Sequence, residues 1–316
     1  MNKAVLAIHG GAGAIARDDA SPQLRQAYEQ ALADVLDSAG RLLADGAPAL
    51  DVAVEAVRLL EECPLFNAGH GAVFTGDARH ELDASVMDGT TRRAGGVAGI
   101  MQLRNPVLAA RAVMQHSPHV LLIGEGAERF GREQGLQVVE NSFFSTAERR
   151  EQLDRVRATG RDTMVLDHDA PLRRPLDESS KFGTVGAVAC DVQGRLAAAT
   201  STGGMTNKWP GRVGDSPLVG AGCYADGVCA VSATGTGEAF MRAVAAYDVS
   251  AQMRYAGATL EEAAGRLVYG TLPALDGAGG IIAVDAHGNV QMPFNTQGMY
   301  RGSLRLGEAP VVAIYR

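Results

Sequence analysis

The sequence predicts a fold that mixes helices with strands around one large core or two modest domains. Three observations carry that prediction. The 316 residues suffice to bury about three quarters of the unfolded surface without staples. Apolar stripes at helical spacing alternate along the chain with short apolar runs bounded by turn residues. Finally, 39 glycines against 8 phenylalanines and 1 tryptophan mark a chain with many close backbone approaches.

Residues 4–8 read as the first strand, running into His9-Gly10-Gly11-Ala12-Gly13. That run is not a phosphate loop, because its spacing is not GxGxxG and Arg17-Asp18-Asp19 put anions where a phosphate would sit. Glycines packed closely against another segment are the better reading. Ser21-Pro22 supplies a helix N-cap and an N1 proline, and Ala27, Ala31, Val35, Ala39 and Leu42, with Leu24, Tyr28, Leu32, Leu36 and Leu43 beside them, keep a helical stripe to about residue 45. A second helix is expected over 51–62, with Ala53, Val54, Val57 and Leu60 inward and Pro64 as its stop. Residues 65–73 then form a loop short of long side chains and rich in backbone carbonyls. Such a loop suits either a tight turn without an ion or an oxygen-ligand site for a hard monovalent cation.

Residues 80–87 and 95–103 read as a strand pair around Asp88-Gly89. A helix from Asn105-Pro106 to 115, a short strand over 119–123 and helices over 124–134 and 146–157 follow. His116 and His119 flank a proline and read as loop histidines, not metal ligands. Over 159–183 the pattern dissolves into Gly, Asp, Pro, Arg and Ser, a mobile linker. Residues 185–190 are then a buried strand, 191–194 its turn and 196–200 the returning partner. The loop over 205–217 holds Arg212 and Asp215, whose bland reading is a surface ion pair of little weight. Strands are expected over 218–223 and 228–232, and Thr234-Gly235-Thr236-Gly237-Glu238 opens a helix with Phe240, Val244 and Tyr247. Unpaired N–H groups at such a start suit a developing negative charge. A helix over 259–275 and a hairpin of 280–285 with 289–294 complete the chain.

Composition narrows the function classes. With 46% hydrophobic and 21% charged residues and a net charge of -7, the chain lacks the basic face that a nucleic-acid or anionic-membrane partner requires. The opening apolar run is too short for a signal h-region or a membrane span, so the protein reads as cytoplasmic. Cys63, Cys190, Cys223 and Cys229 show no CxxC pairing and read as buried free thiols.

The chemistry concentrates at Gly183-Thr184. A β-branched residue at a strand start is ordinary, but the returning strand ends in Thr200-Ser201-Thr202-Gly203-Gly204 and brings further hydroxyls beside Thr184. No GxSxG elbow, HExxH or paired-cysteine site supplies a base. Were the chain cut between Gly183 and Thr184, the new α-amine, with a pKa of about 7.7–8.0, would accept the hydroxyl proton at neutral pH. Thr184 would then be nucleophile and base together.

Taken in order, His9-Gly10-Gly11-Ala12-Gly13, Phe66-Asn67-Ala68-Gly69, Gly183-Thr184-Val185-Gly186-Ala187-Val188-Ala189, Thr200-Ser201-Thr202-Gly203-Gly204, Gly211-Arg212-Val213-Gly214-Asp215-Ser216-Pro217 and Thr234-Gly235-Thr236-Gly237-Glu238 span nearly the whole chain. This pattern resembles the plant-type L-asparaginases, or isoaspartyl peptidases (β-aspartyl-peptidases), of the N-terminal-nucleophile hydrolases. The resemblance implies an α+β fold, a four-layer αββα sandwich. It implies self-cleavage before Thr184 into residues 1–183 and 184–316, which stay together as one domain and pair as (αβ)₂. The implied reaction releases L-aspartate from β-aspartyl dipeptides and L-asparagine through an aspartyl ester on Thr184. By the same resemblance Thr202 orients the nucleophile, Thr234 and Gly235 form the oxyanion hole, Arg212 holds the substrate α-carboxylate and Asp215 its α-ammonium. Asn67 lies near the site, and the carbonyls of Leu60, Glu61, Cys63, Phe66, Ala68 and His70 form a structural sodium loop, with no catalytic cofactor. Two other readings stand beside it. Glycosylasparaginases usually carry Asp before the nucleophile, which Gly183 disfavours, and an uncleaved binder of acidic amino acids would have no use for clustered threonines.

Overall fold

The computed structural model describes residues 4–13, 21–158 and 183–316. Its centre is β1 (Val5–Gly13), buried along its whole length. Leu6 and Ile8 join one apolar cluster while Val5 and Ala7 join another, as a strand covered on both faces requires. The first half of the chain adds β2 (Leu82–Asp88), β3 (Ala94–Ile100) and β4 (Leu121–Ile123). The second adds β5 (Val185–Cys190), β6 (Leu196–Thr202), β7 (Cys223–Ala225), β8 (Cys229–Gly235), β9 (Gly279–Asp285), β10 (Val290–Gln291), β11 (Gly298–Arg305) and β12 (Val311–Ala313). They assemble into an eight-stranded sheet of order β12-β11-β1-β5-β6-β2-β3-β4 and a four-stranded sheet of order β10-β9-β8-β7.

Helices α1 (Pro22–Ala44), α2 (Ala49–Glu62) and α3 (Pro106–His116) lie against the larger sheet, α2 over β5 and β6, α1 over β11 and β1, α3 over β3 and β2. The α1 start is the predicted one, with Ser21 Oγ accepting from the Leu24 amide at 3.1 Å. Its buried Tyr28 stacks on Tyr300 of β11. α4 (Gly124–Glu133) and α5 (Ala147–Ala158) complete the first half. Strands β1, β5 and β6 also meet β8 or β9 of the smaller sheet. After α6 (Gly237–Ala243), α7 (Ala245–Ala256) packs on β8, and α8 (Leu260–Arg266) packs on β9 ahead of the short α9 (Leu272–Ala274). Helices and largely antiparallel sheets make this an α+β fold.

Several expectations are corrected. The first strand runs to Gly13, not residue 8, because β11 pairs along it through a bulge between His9 and Gly11. Residues 218–222 are turns, since the Leu218 and Gly222 amides both bond to the Asp215 carbonyl, at 3.0 and 3.1 Å. The helix expected through Phe240, Val244 and Tyr247 breaks at Val244, which is left-handed at φ 49°. Beyond the break, the Ala246 and Tyr247 amides bond to the carbonyls of Ala221 and Gly220 at 3.1 and 2.9 Å. Those outside acceptors replace the helix's own carbonyls, so the helix restarts. The helix expected over 259–275 holds only to Arg266. A π-turn follows over Leu267–Thr271, and the Val268 carbonyl accepts from Asn295 Nδ2 at 3.1 Å. Strands β11 and β12 were not anticipated at all. Arg17-Asp18-Asp19 and residues 159–182 of the expected linker lie outside the described residues. Cys190, Cys223 and Cys229 are buried free thiols, whereas Cys63 is half-buried. No helix among the described residues is long and apolar enough to cross a membrane.

Candidate active site

The β5–β6 hairpin sets the first contact. Val185 lies opposite Ser201, so Thr184, one residue earlier, falls beside Thr202. Thr184 Oγ1 donates to Thr202 Oγ1 at 3.0 Å, and Thr202 Oγ1 also accepts from the Gly204 amide at 3.0 Å. The accepting oxygen is thus held by the backbone of the next turn, and it aims the Thr184 hydroxyl. Both threonines are buried.

Behind Thr184 stands a group the sequence reading left without a role. His9 Nδ1 bonds to the Thr184 carbonyl at 3.0 Å and Nε2 to Ser232 Oγ at 2.9 Å, with Ser232 Oγ 2.7 Å from Thr200 Oγ1. A carbonyl only accepts, so Nδ1 carries the proton and Nε2 accepts from the serine. Burial lowers the His9 pKa to about 3 against the raising effect of the Thr184 carbonyl, so the ring stays neutral. A Cβ on Gly186 would lie 2.0 Å from Ser232 Oγ and 2.4 Å from His9 Nε2, which explains the glycine after Thr184-Val185.

Thr184 opens onto a small cleft lined by Gly183, Thr202, Gly204, Arg212, Asp215 and Gly235, among others. The loop bearing Arg212 and Asp215 is fastened from below. Lys208 Nζ donates to the Glu81 carbonyl at 2.7 Å, and Glu81 Oε2 accepts the Gly211 amide at 2.8 Å. Arg212 and Asp215 do not form the surface ion pair of the bland reading. Arg212 pairs with Glu238 at 2.9 Å, and Asp215 is buried with its Oδ2 lacking a hydrogen-bond partner. Burial pushes the Asp215 carboxyl up to about 7, opposed by the Arg212 charge.

Thr234 and Gly235 close the far side, though not as the first turn of a helix. They end β8, opposite Gly280 and Gly279 of β9, and α6 starts only at Gly237. Gly235 lines the cleft, while Thr234 is buried, its hydroxyl accepting from the Ala12 amide at 3.3 Å. Asn67 braces the site from behind. Its Nδ2 donates to the Gly204 carbonyl at 2.7 Å and its Oδ1 accepts from Val73 at 2.9 Å. A Cβ on Gly183 would lie only 2.3 Å from Asn67 Cβ, so nothing larger than glycine fits ahead of Thr184 without movement.

The carbonyl loop follows α2. The carbonyls of Leu60, Glu61 and Cys63 each accept a backbone amide, from Cys63, His70 and Phe66 respectively. The chain then folds back through Gly69 and Gly71, both left-handed at φ 51° and 104°. A Cβ on Gly69 would lie 2.4 Å from the Glu61 carbonyl oxygen, and one on Gly71 would lie 2.7 Å from that of Phe66. Glycines therefore keep side chains off the Glu61 and Phe66 carbonyls, and Ala68 and His70 lie in the same segment. Among the described residues no cluster of three or more His, Cys, Asp or Glu could hold a metal ion. Uncharged backbone oxygens are hard donors, of the kind that suits a hard cation rather than a soft one.

The structure thus gathers Gly183, Thr184, Thr202, Arg212, Asp215 and Gly235 on one cleft, with Thr234 and Asn67 directly behind. Asn67 belongs to the Leu60–His70 loop, which reaches the cleft through the Asn67–Gly204 bond. Sequence reasoning missed His9, Ser232, Lys208 and Glu238 as parts of this arrangement. The signal for Glu238 was its position directly after the threonine-glycine run.

Comparison with known proteins bears on the whole chain. A family model described as asparaginase matches residues 2–314. The chain is 60% identical over 317 residues to the isoaspartyl peptidase of Escherichia coli K12, covering 100% of this chain and 97% of that protein. The isoaspartyl peptidase of Salmonella typhimurium is also 60% identical, covering 100% of both. The plant-type L-asparaginase of Pyrococcus furiosus is 40% identical over 304 residues, or 95% of this chain and 96% of that protein.

Proposed function

The chain belongs to the asparaginase family, and from that membership we propose that it is an isoaspartyl peptidase and L-asparaginase, releasing L-aspartate from β-aspartyl dipeptides and L-asparagine. The observation that carries this is the 3.0 Å hydroxyl pair of Thr184 and Thr202 in a cleft that a cation, Arg212, and an anion, Asp215, also line. An aspartyl group linked through its side chain keeps a free α-carboxylate and α-ammonium, and so needs one anchor of each sign. Arg212 suits the carboxylate, through a planar guanidinium, and Asp215 the ammonium.

Maturation comes first. Thr184 Oγ1 attacks the Gly183 carbonyl carbon, the peptide nitrogen leaves as the Thr184 α-amine, and water hydrolyses the resulting ester to free the Gly183 carboxylate. The chain becomes fragments 1–183 and 184–316. In turnover the amine takes the Thr184 hydroxyl proton as Oγ1 attacks the substrate β-carbonyl. In this reading Thr234 and Gly235 supply the oxyanion donors, where one donor is typically worth about 2.7–4 kcal/mol. The leaving amine receives the proton, and water then hydrolyses the aspartyl ester. Thr202 keeps the nucleophile aimed throughout, and His9 holds the Thr184 peptide plane.

The wider reading is a four-layer αββα sandwich, supported by α1–α3 and α7–α8 lying on the two sheets away from their mutual contact. It includes pairing of matured molecules as (αβ)₂, a cytoplasmic location and a structural sodium ion. The ion would be held by the carbonyls of Leu60, Glu61, Cys63, Phe66, Ala68 and His70, and would stiffen the turn that presents Asn67. No step of the reaction passes through it. The lack of room at Gly183 speaks against the glycosylasparaginase reading, in which aspartate precedes the nucleophile.

Denaturing gels and mass spectrometry test the central step. The wild-type protein resolves into two fragments, the second beginning at Thr184, and Thr184→Ala runs as one inactive chain. Full activity from an uncut wild-type chain overturns the amine-as-base mechanism.

A further inference from the structure

The cleft contains two opposite charges that do not pair with each other. A Cβ placed on Gly237 would lie 2.9 Å from Asp215 Oδ1 and 3.0 Å from Arg212 Nη2, so both groups border the same point of backbone. Opposite charges this near attract strongly in a site largely closed to water, and arginine has a long, jointed stem that can follow the attraction. Yet Asp215 Oδ2 is buried without a hydrogen-bond partner. Something holds the guanidinium away.

Glu238 does so by geometry. Arg212 Nε and Nη2 both donate to its Oε1, at 3.0 and 2.9 Å, which fills one edge of the guanidinium. The opposite edge is bordered by glycines, for a Cβ on Gly214 would lie 2.9 Å from Nη1 and one on Gly204 3.3 Å from it. The residue before Glu238 is Gly237, where any side chain would press on both charges. Glycine keeps the space open, and the next residue brings the competing carboxylate at the start of α6. Arg212 is nearly buried, with 11% of its side chain exposed, and although 35% of the Glu238 side chain is exposed, its Oε2 is buried without a hydrogen-bond partner, so its Oε1 is committed to Arg212.

We propose that Glu238 is a positioning residue that holds Arg212 off Asp215, keeping the two anchors unpaired until an aspartyl group with both charges arrives. The inference rests on the reading above, in which Arg212 takes the α-carboxylate and Asp215 the α-ammonium. Without Glu238 the guanidinium closes on Asp215, and each anchor cancels the other. Removing a carboxylate from beside Arg212 would on charge alone strengthen its hold on an anion. Collapse onto Asp215 predicts the reverse, so the sign of the effect is informative.

The test compares a β-aspartyl dipeptide with the same compound carrying an α-carboxamide on the aspartyl group. Wild-type enzyme prefers the carboxylate by at least 100-fold in kcat/KM. Glu238→Ala reduces that preference at least tenfold, mostly through KM on the carboxylate substrate. Glu238→Gln, whose amide oxygen still accepts the two N–H groups, keeps the preference within threefold of wild type. A crystal structure of the Ala variant shows Arg212 against the Asp215 carboxylate. Should the Ala variant remain uncut on a gel, Glu238→Asp, which keeps the charge and shortens its reach, is read by the same ratio and loses at least fivefold. A wild-type enzyme indifferent to the amide overturns the anchoring reading, and the proposal with it. A discriminating wild type whose Ala or Asp variant keeps the full preference, or loses rate equally on both substrates, overturns the proposal alone.

Discussion

Burial pushes the Asp215 carboxyl up to about 7, with Arg212 opposing, and that places a second titration beside the Thr184 amine. Only ionised Asp215 can hold an ammonium, and only the unprotonated amine, with an ordinary pKa of about 7.7–8.0, can take a proton. Both are therefore lost as pH falls, and both losses lower kcat/KM, which reports the free enzyme. In the complex the bound ammonium keeps Asp215 ionised, so kcat reports the amine alone. Initial rates from pH 5 to 9 should give an acid limb of slope near two in log kcat/KM and near one in log kcat. A slope of one in both removes Asp215 from substrate binding. At this scale the legible residues were those tied by local geometry. Thr202 was readable beside Thr184 because a short hairpin fixes its register, whereas the local pattern of Arg212 and Asp215 read as a surface ion pair, and only the resemblance singled them out as anchors. His9 and Glu238 were not readable, since their partners lie 175 and 26 positions away and no local pattern encodes a fold-made contact.

Among the elements, the α6–α7 junction shows why periodicity alone misleads. Phe240, Val244 and Tyr247 keep helical spacing, and nothing in their sequence announces a break. The break comes from the carbonyls of Gly220 and Ala221, which capture the amides that the helix would have used. Val244 absorbs the turn at φ 49°, where a β-branched residue is strained by roughly 1–2 kcal/mol. With 48% of Val244 exposed, little packing is at stake. Asparagine tolerates this conformation without the full entropy cost of glycine, so Val244→Asn should stabilise the protein by about 1 kcal/mol and raise Tm by roughly 2 °C. Calorimetry decides it, and a lower Tm would mean that the valine methyls contribute more than the strain costs. The π-turn after α8 has the same origin, for Asn295, held beside the start of β9 by the Gly279 carbonyl, takes the Val268 carbonyl. By contrast α1 was legible end to end, because Ser21, Pro22 and the apolar stripe state its start and its buried face in one segment.

For the whole molecule, the sheet order carries a consequence that the linear chain hides. A cut before Thr184 leaves β1, β2, β3 and β4 on one fragment and β5 onward on the other, yet the order β12-β11-β1-β5-β6-β2-β3-β4 interleaves them. β1 is held between β11 and β5, and β6 pairs with β2. The role of β11 was not readable, because its segment is partly polar and its purpose, to close the outer side of β1, exists only once the N-terminal strand is in place. Cleavage therefore cuts a peptide bond but no sheet ladder. Both apolar clusters draw on both fragments, the one beneath α1 and α2 taking Val185, Ala187 and Ala189 and the other taking Val5, Ala7 and Ala12. Residues 184–316 made alone would expose the edges of β5, β6 and β11, which invite aggregation. Matured enzyme should therefore elute as one species and unfold in a single transition. Residues 184–316 expressed alone should be insoluble, and coexpression with residues 1–183 should restore soluble, active protein. A soluble, cooperatively folded 184–316 fragment would show that the shared sheet does not bind the two halves into one folding unit.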